Sequence, residues 1–312
     1  MGTLQGVLAI TVTPFDRDGR VDEVAYRAVV ARLAGGGVDA ITANGNTGEF
    51  YALSREECDR AVEMTVEAAA ASTAGKAAGD ITIMAGVGYD VATATAMARG
   101  AQRLGARAVM VHQPLHPYQS MDGWIAYHRA IADAVGDLAV VCYVRSALVT
   151  PDALTRLADV CPNVAAVKYA VPDVFAFANA VGALGERLVF SCGLAESWAP
   201  YFWLAGASGF TSGLATVAPG LSVELLHRLR EGDTEGAMKV WRQVLPFEEL
   251  RARRGAENNV SVVKEALAQL GVCSAAVRPP MSELSTAERA EVGRILRTWG
   301  YGTDPTVLAD RW

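Results

Sequence analysis

The sequence predicts an α/β protein, a closed (β/α)8 barrel followed by a C-terminal helical extension. Two observations carry this. Eight short apolar runs alternate with helical patterns through the first two-thirds of the chain, and the runs are apolar on both faces, as strands of a helix-covered parallel sheet must be. Eight such units in about 220 residues fit a barrel that closes on itself and leaves a tail.

The strand runs are Val7–Thr13, Ala40–Ala43, Ile81–Gly86, Ala108–His112, Ala139–Val144, Val164–Tyr169, Leu188–Cys192 and Gly209–Ser212. Each is too short for a helix and is bounded by polar or glycine signals. Between them lie "DEVAYRAVVARLAGGG", "SREECDRAVEMTVEAAAA", "DVATATAMARGAQRLGA", "MDGWIAYHRAIADAVG", "TPDALTRLADV", "DVFAFANAVGALG" and "SWAPYFWLAGA". Several of these open on Ser, Thr or Asp at the N-cap position and close on Gly, the ordinary helix signals. An open doubly wound sheet is the competing architecture. It would need a G-x-G-x-x-G turn after the first strand, where this chain has "TPFDRDG". From Pro219 the strands stop. "SVELLHRLREGDTEGAMKVWRQVLPFEELRA", "VSVVKEALAQLGV" and "STAERAEVGRILRTWG" read as amphipathic helices, with a break at Pro279 and Pro280. Residues 1–218 are therefore read as the barrel and 219–312 as a helical region.

Composition narrows the function classes. Of 312 residues 51% are apolar and 20% charged, enough for a large core and without a disordered signature. The net charge of −6 and the lack of a dense Lys/Arg block argue against nucleic acid. The one basic cluster, "LRARRG" at Leu250–Gly255, follows a helical pattern and is read as a solvated helix end. Five widely spaced cysteines (58, 142, 161, 192 and 273) without a C-x-x-C pair or histidine cluster fit a reduced, cytoplasmic protein without structural zinc. The start "MGTLQGVLAITVTPF" has neither a basic n-region nor a long apolar stretch, and Met1-Gly2 lacks the Ser/Thr at position six that myristoylation wants. No window reaches the length of a membrane span, so no membrane partner is expected.

In a barrel of this kind the site lies at the C-terminal ends of the strands. Those ends carry Thr11 and Thr13, Asn44 to Glu49, Gly86 to Tyr89, His112, Tyr143 and Arg145, Lys168, Gly193 and Glu196, and Thr211 with Ser212. Lys168 stands out, because "VAAVKYA" supplies no acidic neighbour before Asp173. An ordinary strand-end lysine snorkels to solvent or pairs with a carboxylate. A desolvated one has a lowered pKa, and its neutral amine can attack a carbonyl to form a Schiff base. Tyr143, on the adjacent strand, can give and take a proton beside that imine; the bland alternative is rim packing. "GNTGEF", Gly45 to Phe50, is read as an anion-binding nest in which Asn46, Thr47 and Gly48 offer donors to a carboxylate of about pyruvate size. The alternative is a plain βα turn with Glu49 at the polar start of the next helix. Arg145 is either a bidentate grip for a second carboxylate or a surface arginine paired with Asp152.

With these elements in order, the chain resembles the dihydrodipicolinate synthase / N-acetylneuraminate lyase family of class I aldolases. The resemblance runs from "GVLAITVTPF" through "GNTGEFYALSREE", "GVG", "CYV" and "AVKYA" to "VVKEALAQLGV" and "VRPPMSELS". It implies a TIM barrel with a three-helix C-terminal region, a homo-oligomer (dimer or tetramer), no metal and no organic cofactor. It also implies that Lys168 is the Schiff-base lysine, Tyr143 the acid/base, and the Gly45–Gly48 turn with Thr47 the grip on a 2-oxo acid; Gly193 and Thr211, from their place at strand ends, are expected to contribute to substrate binding. The chain departs from the pattern at Asn46, where the family has Thr or Ser, and at Pro114, where a second tyrosine belongs. Leu148 stands where the synthases carry the arginine of Asn-x-Pro-Gly-Arg. "TGEFYAL", Arg145 and the Thr-Ser of "GFTSGL" resemble the 5-dehydro-4-deoxyglucarate dehydratases instead, although Tyr-Ala follows Lys168 where those enzymes have Asp-Gly.

The leading expectation is a Schiff-base lyase acting on a pyruvate-type or sugar-derived 2-oxo acid by aldol chemistry or dehydration. Alternatives are a decarboxylating 5-dehydro-4-deoxyglucarate dehydratase, a true 4-hydroxy-tetrahydrodipicolinate synthase, and a 2-oxo-acid-binding barrel without turnover. A metal-dependent aldolase would need clustered ligands, and only His112 and His116 lie close in sequence.

Overall fold

Strands apolar on both faces need cover on both, and a closed barrel ringed by helices supplies it. The computed structural model describes residues 4–73 and 81–302; the Met1-Gly2 start and the last ten residues lie outside them. The strands β1 (Gly6–Ile10), β2 (Ala40–Ala43), β3 (Thr82–Val87), β4 (Ala108–Val111), β5 (Ala139–Val144), β6 (Val164–Tyr169), β7 (Val189–Cys192) and β8 (Gly209–Ser212) pair in chain order, and β8 closes on β1. All pairings are parallel. Between them run α1 (Glu23–Gly35), α2 (Arg55–Thr73), α3 (Val91–Arg103), α4 (Met121–Val135), α5 (Pro151–Val160), α6 (Val174–Leu184) and α7 (Ala195–Leu204). The expected (β/α)8 barrel is the observed fold. β1 ends at Ile10, short of the expected Thr13, whose hydroxyl donates to the Gly48 carbonyl at 2.7 Å.

Two apolar layers divide the interior. The larger lies between strands and helices; the smaller fills the barrel with Leu4, Met84, Met110, Val141, Ala166 and Val189. Inward positions alternate along each strand, so Val141 and Tyr143 share the inner face of β5 as Ala166 and Lys168 share that of β6. Register places Tyr143 opposite Lys168, and Lys168 opposite Ser191. The upper end of the barrel thus receives polar groups in adjacent strands, while its lower layers are packed shut.

α8 (Pro219–Arg230) follows β8 and completes the ring of eight helices, so the tail begins later than the expected residue 219 and comprises α9 (Thr234–Ala256), α10 (Ser261–Gln269) and α11 (Thr286–Thr298). α8 packs on β1, α9 crosses α7 and α8, and α10 and α11 pack on α9. The long stretch expected as a single amphipathic pattern is two helices. The chain reverses at Gly232, with φ of 72°, and Asp233 caps α9 by accepting from the Gly236 N–H. α9 leaves helical geometry at Arg253–Gly255, where Arg254 and Gly255 are left-handed. No helix among the described residues is long and apolar enough to cross a membrane.

A fully buried ion pair fastens this tail to the barrel rim. Lys264 of α10 pairs with Glu49, donates to the Ala276 carbonyl at 2.7 Å and lies 4.0 Å from the Phe15 ring centroid. Glu49 also accepts the Arg278 N–H at 2.9 Å, and the Arg278 guanidinium grips Glu57 at 2.6 and 2.7 Å. Glu49 is therefore a structural anchor and not the polar start of α2. Its partner comes from a helix that the local pattern could not connect to it. Removing one member of such a pair strands the other charge, so Lys264→Met is expected to destabilise the protein by about 3–5 kcal/mol in urea unfolding. Glu49→Gln on top of it should restore part of that loss; no recovery in the double variant would show that the pair is not coupled.

Candidate active site

At the C-terminal end of the strands a cavity of about 240 Å³ opens, lined from the barrel by Ile10, Asn46, Thr47, Tyr143, Arg145, Lys168, Gly193 and Thr211, and from the tail by Glu248, Arg251 and Asn259. The volume is below the roughly 300–1,000 Å³ of sites for drug-sized ligands, so the cavity suits a small metabolite. Seven of the eight residues singled out by sequence converge here. Gly48 does not: its N–H is spent on the Gly45 carbonyl at 2.9 Å and it packs behind the turn.

Lys168 is 4% exposed, and among the described residues no carboxylate reaches its ammonium. Its Nζ lies 4.0 Å from the centroid of the Tyr143 ring. Burial, followed by the positive charge of Arg145, pulls its pKa down to about 7. A substantial share of neutral amine therefore exists at neutral pH, which a nucleophile toward a carbonyl requires. Tyr143 is buried, and desolvation raises the pKa of its phenol against the opposing effects of Arg145 and Asn46. The phenol stays protonated and can donate to an oxygen forming beside Nζ.

The Asn46 amide donates to the Tyr143 hydroxyl at 3.4 Å. An amide can orient that hydroxyl, but unlike a Thr or Ser hydroxyl it cannot both accept and pass on a proton. The Gly45–Gly48 segment is not the nest that two glycines suggest. Asn46–Gly48 forms a 3₁₀ turn, and the left-handed residues are Asn44 and Glu49, with φ of 59° and 60°. The glycines serve close approach: a Cβ at 45 would meet Ile10 Cγ2 at 2.4 Å, and one at 48 the Thr11 carbonyl at 2.9 Å. The first N–H groups of such a turn have no partner within it, and the residues that carry them, Asn46 and Thr47, line the cavity.

His112 is a prop. Its Nε2 meets the Asn44 carbonyl at 2.8 Å, its ring stacks on Phe50 at 4.2 Å, and burial lowers its pKa to about 3. No group of three His, Cys, Asp or Glu side chains among the described residues could hold a metal ion. Arg145 is exposed at the cavity mouth and makes no ion pair with Asp152, which faces Arg156 at 4.0 Å.

The tail contributes what the sequence reading did not anticipate. "LRARRG" is only partly the expected solvated end: Arg253 pairs with Glu291 and Arg254 with Glu288 at the surface, but Arg251 is 5% exposed and lines the cavity. Its Nη1 donates to both Glu248 oxygens at 2.7 and 2.9 Å. A signal existed in the spacing of Val240, Val244, Phe247 and Arg251, which puts the arginine on the buried face of α9. Beneath it, the fully buried Glu196 accepts hydrogen bonds at 2.5 Å from Ser212 and Ser222. Burial and the neighbouring Glu248 raise its pKa to about 7.

Comparison with known proteins places this geometry. The chain is 33% identical over 297 residues to a probable 5-dehydro-4-deoxyglucarate dehydratase of Rhizobium rhizogenes, covering 94% of this chain and 95% of the relative. A protein of the same description from Methylobacterium radiotolerans is 32% identical, with 93% and 94% covered. Among solved structures, dihydrodipicolinate synthase from Oceanobacillus iheyensis superposes with a TM-score of 0.88 at 36% identity, covering 96% of this chain and 98% of that one. The Bacillus clausii synthase gives 0.89 at 38% identity, with 96% and 99% covered. The model of the dihydrodipicolinate synthetase family matches residues 3–299. The barrel, the buried strand-6 lysine and these matches along nearly its whole length agree: the chain belongs to the dihydrodipicolinate synthetase family and is a lyase.

Proposed function

We propose that this lyase forms a Schiff base through Lys168 with a sugar-derived 2-oxo diacid of the 5-dehydro-4-deoxyglucarate type, which then loses water and carbon dioxide. The observation that carries the reading is an unpaired, desolvated Lys168 amine against Tyr143, in a cavity whose mouth holds an arginine without an ion-pair partner among the described residues. The neutral amine adds to the 2-oxo carbon, and Tyr143 supplies the proton with which the hydroxyl departs as water, leaving an iminium. That cation acidifies the next carbon, so a proton leaves there and the hydroxyl one carbon further departs as water. The carboxylate on the imine carbon can then leave as carbon dioxide, the pair of the broken bond staying on that carbon beside the iminium nitrogen until a proton takes the vacated place. Hydrolysis returns the amine and an aldehyde.

The carboxylate beside the 2-oxo group would sit at the Thr47 turn, with Gly193 and Thr211 completing the wall, while Arg145 faces the far end. The names of the curated relatives support the dehydratase reading. The synthase reading lacks its second-substrate arginine, since Leu148 in that place is 65% exposed. The exposed Leu115 and Tyr118 in the loop after β4 support a homo-oligomer, and five cysteines without a disulfide support a reducing, cytoplasmic setting.

Borohydride added with pyruvate or 2-oxoadipate should leave a mass adduct on the wild-type protein and none on Lys168→Ala. With 5-dehydro-4-deoxyglucarate, one carbon dioxide and one aldehyde should appear per substrate consumed; condensation of pyruvate with aspartate semialdehyde in its place would return the synthase reading. A second consequence concerns stability. The unfolded chain keeps the Lys168 proton to about pH 10, whereas the native chain releases it near 7. The folded state therefore binds fewer protons between those values, and its stability rises with pH across that window. Lys168→Met should be more stable than wild type at pH 7 and below, and the advantage should shrink toward pH 10 in urea unfolding; a constant difference would contradict the lowered pKa.

A further inference from the structure

The guanidinium of Arg251 is held in one plane from two sides. Nη1 is spread across both Glu248 oxygens, Nε donates to the Asn259 carbonyl at 3.2 Å and Nη2 to the Asn259 side-chain oxygen at 2.7 Å. Nη2 carries two N–H groups and has this one acceptor among the described residues, so a donor remains at the cavity wall. Asn259 is delivered by the break in α9 at Arg253–Gly255, which the surface pairs of Arg253 with Glu291 and Arg254 with Glu288 hold in place. A long side chain is thus fixed before any ligand arrives, which removes the rotamer entropy that a free arginine loses on binding.

Charge gives the second argument. The cavity is lined by three cations, Lys168, Arg145 and Arg251, against one carboxylate, Glu248. Once Lys168 becomes an iminium its charge is permanent. A 2-oxo acid with one carboxylate then leaves one positive charge unbalanced in a site where two of the three cations, Lys168 and Arg251, are buried, whereas a second carboxylate brings the site to neutrality. An unbalanced buried charge is the expensive case, and a buried arginine holds a carboxylate more strongly than an exposed one does.

From these observations we infer that Arg251, supplied by the C-terminal helices, binds the distal carboxylate of the substrate and makes the site selective for 2-oxo dianions. The inference rests on the Schiff-base reading above and assigns the far end of that substrate to the tail as well as to the strand-5 arginine. Glu248 and Asn259 act as positioning residues for Arg251.

The test compares 2-oxoadipate with 2-oxohexanoate, acids of equal length that differ in the distal carboxylate, by the concentration dependence of borohydride trapping read as intact mass. Wild type should trap 2-oxoadipate at a half-saturating concentration about tenfold or more below that of 2-oxohexanoate. In Arg251→Met the ratio should fall to about threefold or less. Because that change strands Glu248, the charge-balanced Glu248→Gln/Arg251→Met variant is measured beside it and should show the same loss of preference; the wild-type comparison needs neither. Equal trapping of the two acids by wild type overturns the inference while leaving the Schiff base intact. A preference that survives both variants and disappears in Arg145→Met also overturns it, assigning the carboxylate to Arg145 alone. No adduct with either acid contradicts the Schiff-base reading itself, and the inference falls with it.

Discussion

A lysine amine deprived of water and of any carboxylate partner is the constraint around which this site is arranged. The barrel provides it by stacking Met84, Met110, Val141, Ala166 and Val189 in the interior, so that Lys168 stands on a dry floor. The aromatic face of Tyr143 replaces a counter-ion on one side, and Arg145 raises the local potential without touching the amine. Folding thus holds a charge-averse position open for a group that prefers to be charged, and the energy invested in desolvation reappears as nucleophilicity. A carboxylate placed within reach of Nζ would add stability and remove that nucleophilicity.

The C-terminal helices belong to the same machinery. Through Lys264 of α10, and through Arg278 in the segment that joins α10 to α11, they hold Glu49, the left-handed residue that ends the turn bearing Asn46 and Thr47. Through α9 they bring Glu248 and Arg251 to the cavity wall. Each end of the pocket therefore has a support in the tail, one beneath the strand-2 turn and one across the opening. Arg145 and Leu148 show how the barrel side differs from a synthase: the cation sits two residues beyond Tyr143, and the more distant position is apolar and exposed.

Much of this was legible in the sequence because it is local. The eight strands follow from short apolar runs, and all but β1 match their expected limits to within a residue at each end. Lys168 and Tyr143 follow from lone polar residues ending such runs, and parallel register does the rest. The turn after β2 was misread in detail, since glycine identity does not reveal whether the residue is needed for a positive φ or for close approach. Here Ile10 and the Thr11 carbonyl demanded the missing Cβ atoms, and Asn44 and Glu49 took the strained backbone. Glu49 and Arg251 were misjudged for a common reason. Their roles depend on how the tail docks, which no window of local sequence encodes, and an arginine in a basic cluster looks solvated until the helix face that carries it is known to be buried.

Schiff-base formation through Lys168 requires a substantial share of neutral amine near pH 7 before substrate arrives. Competitive reductive methylation with formaldehyde across pH 5 to 11, read peptide by peptide in the mass spectrometer, measures that directly. The reactivity of Lys168 should reach half its plateau near pH 7, far below the ordinary lysine value of about 10. A Lys168 midpoint at about that ordinary value would contradict the lowered pKa.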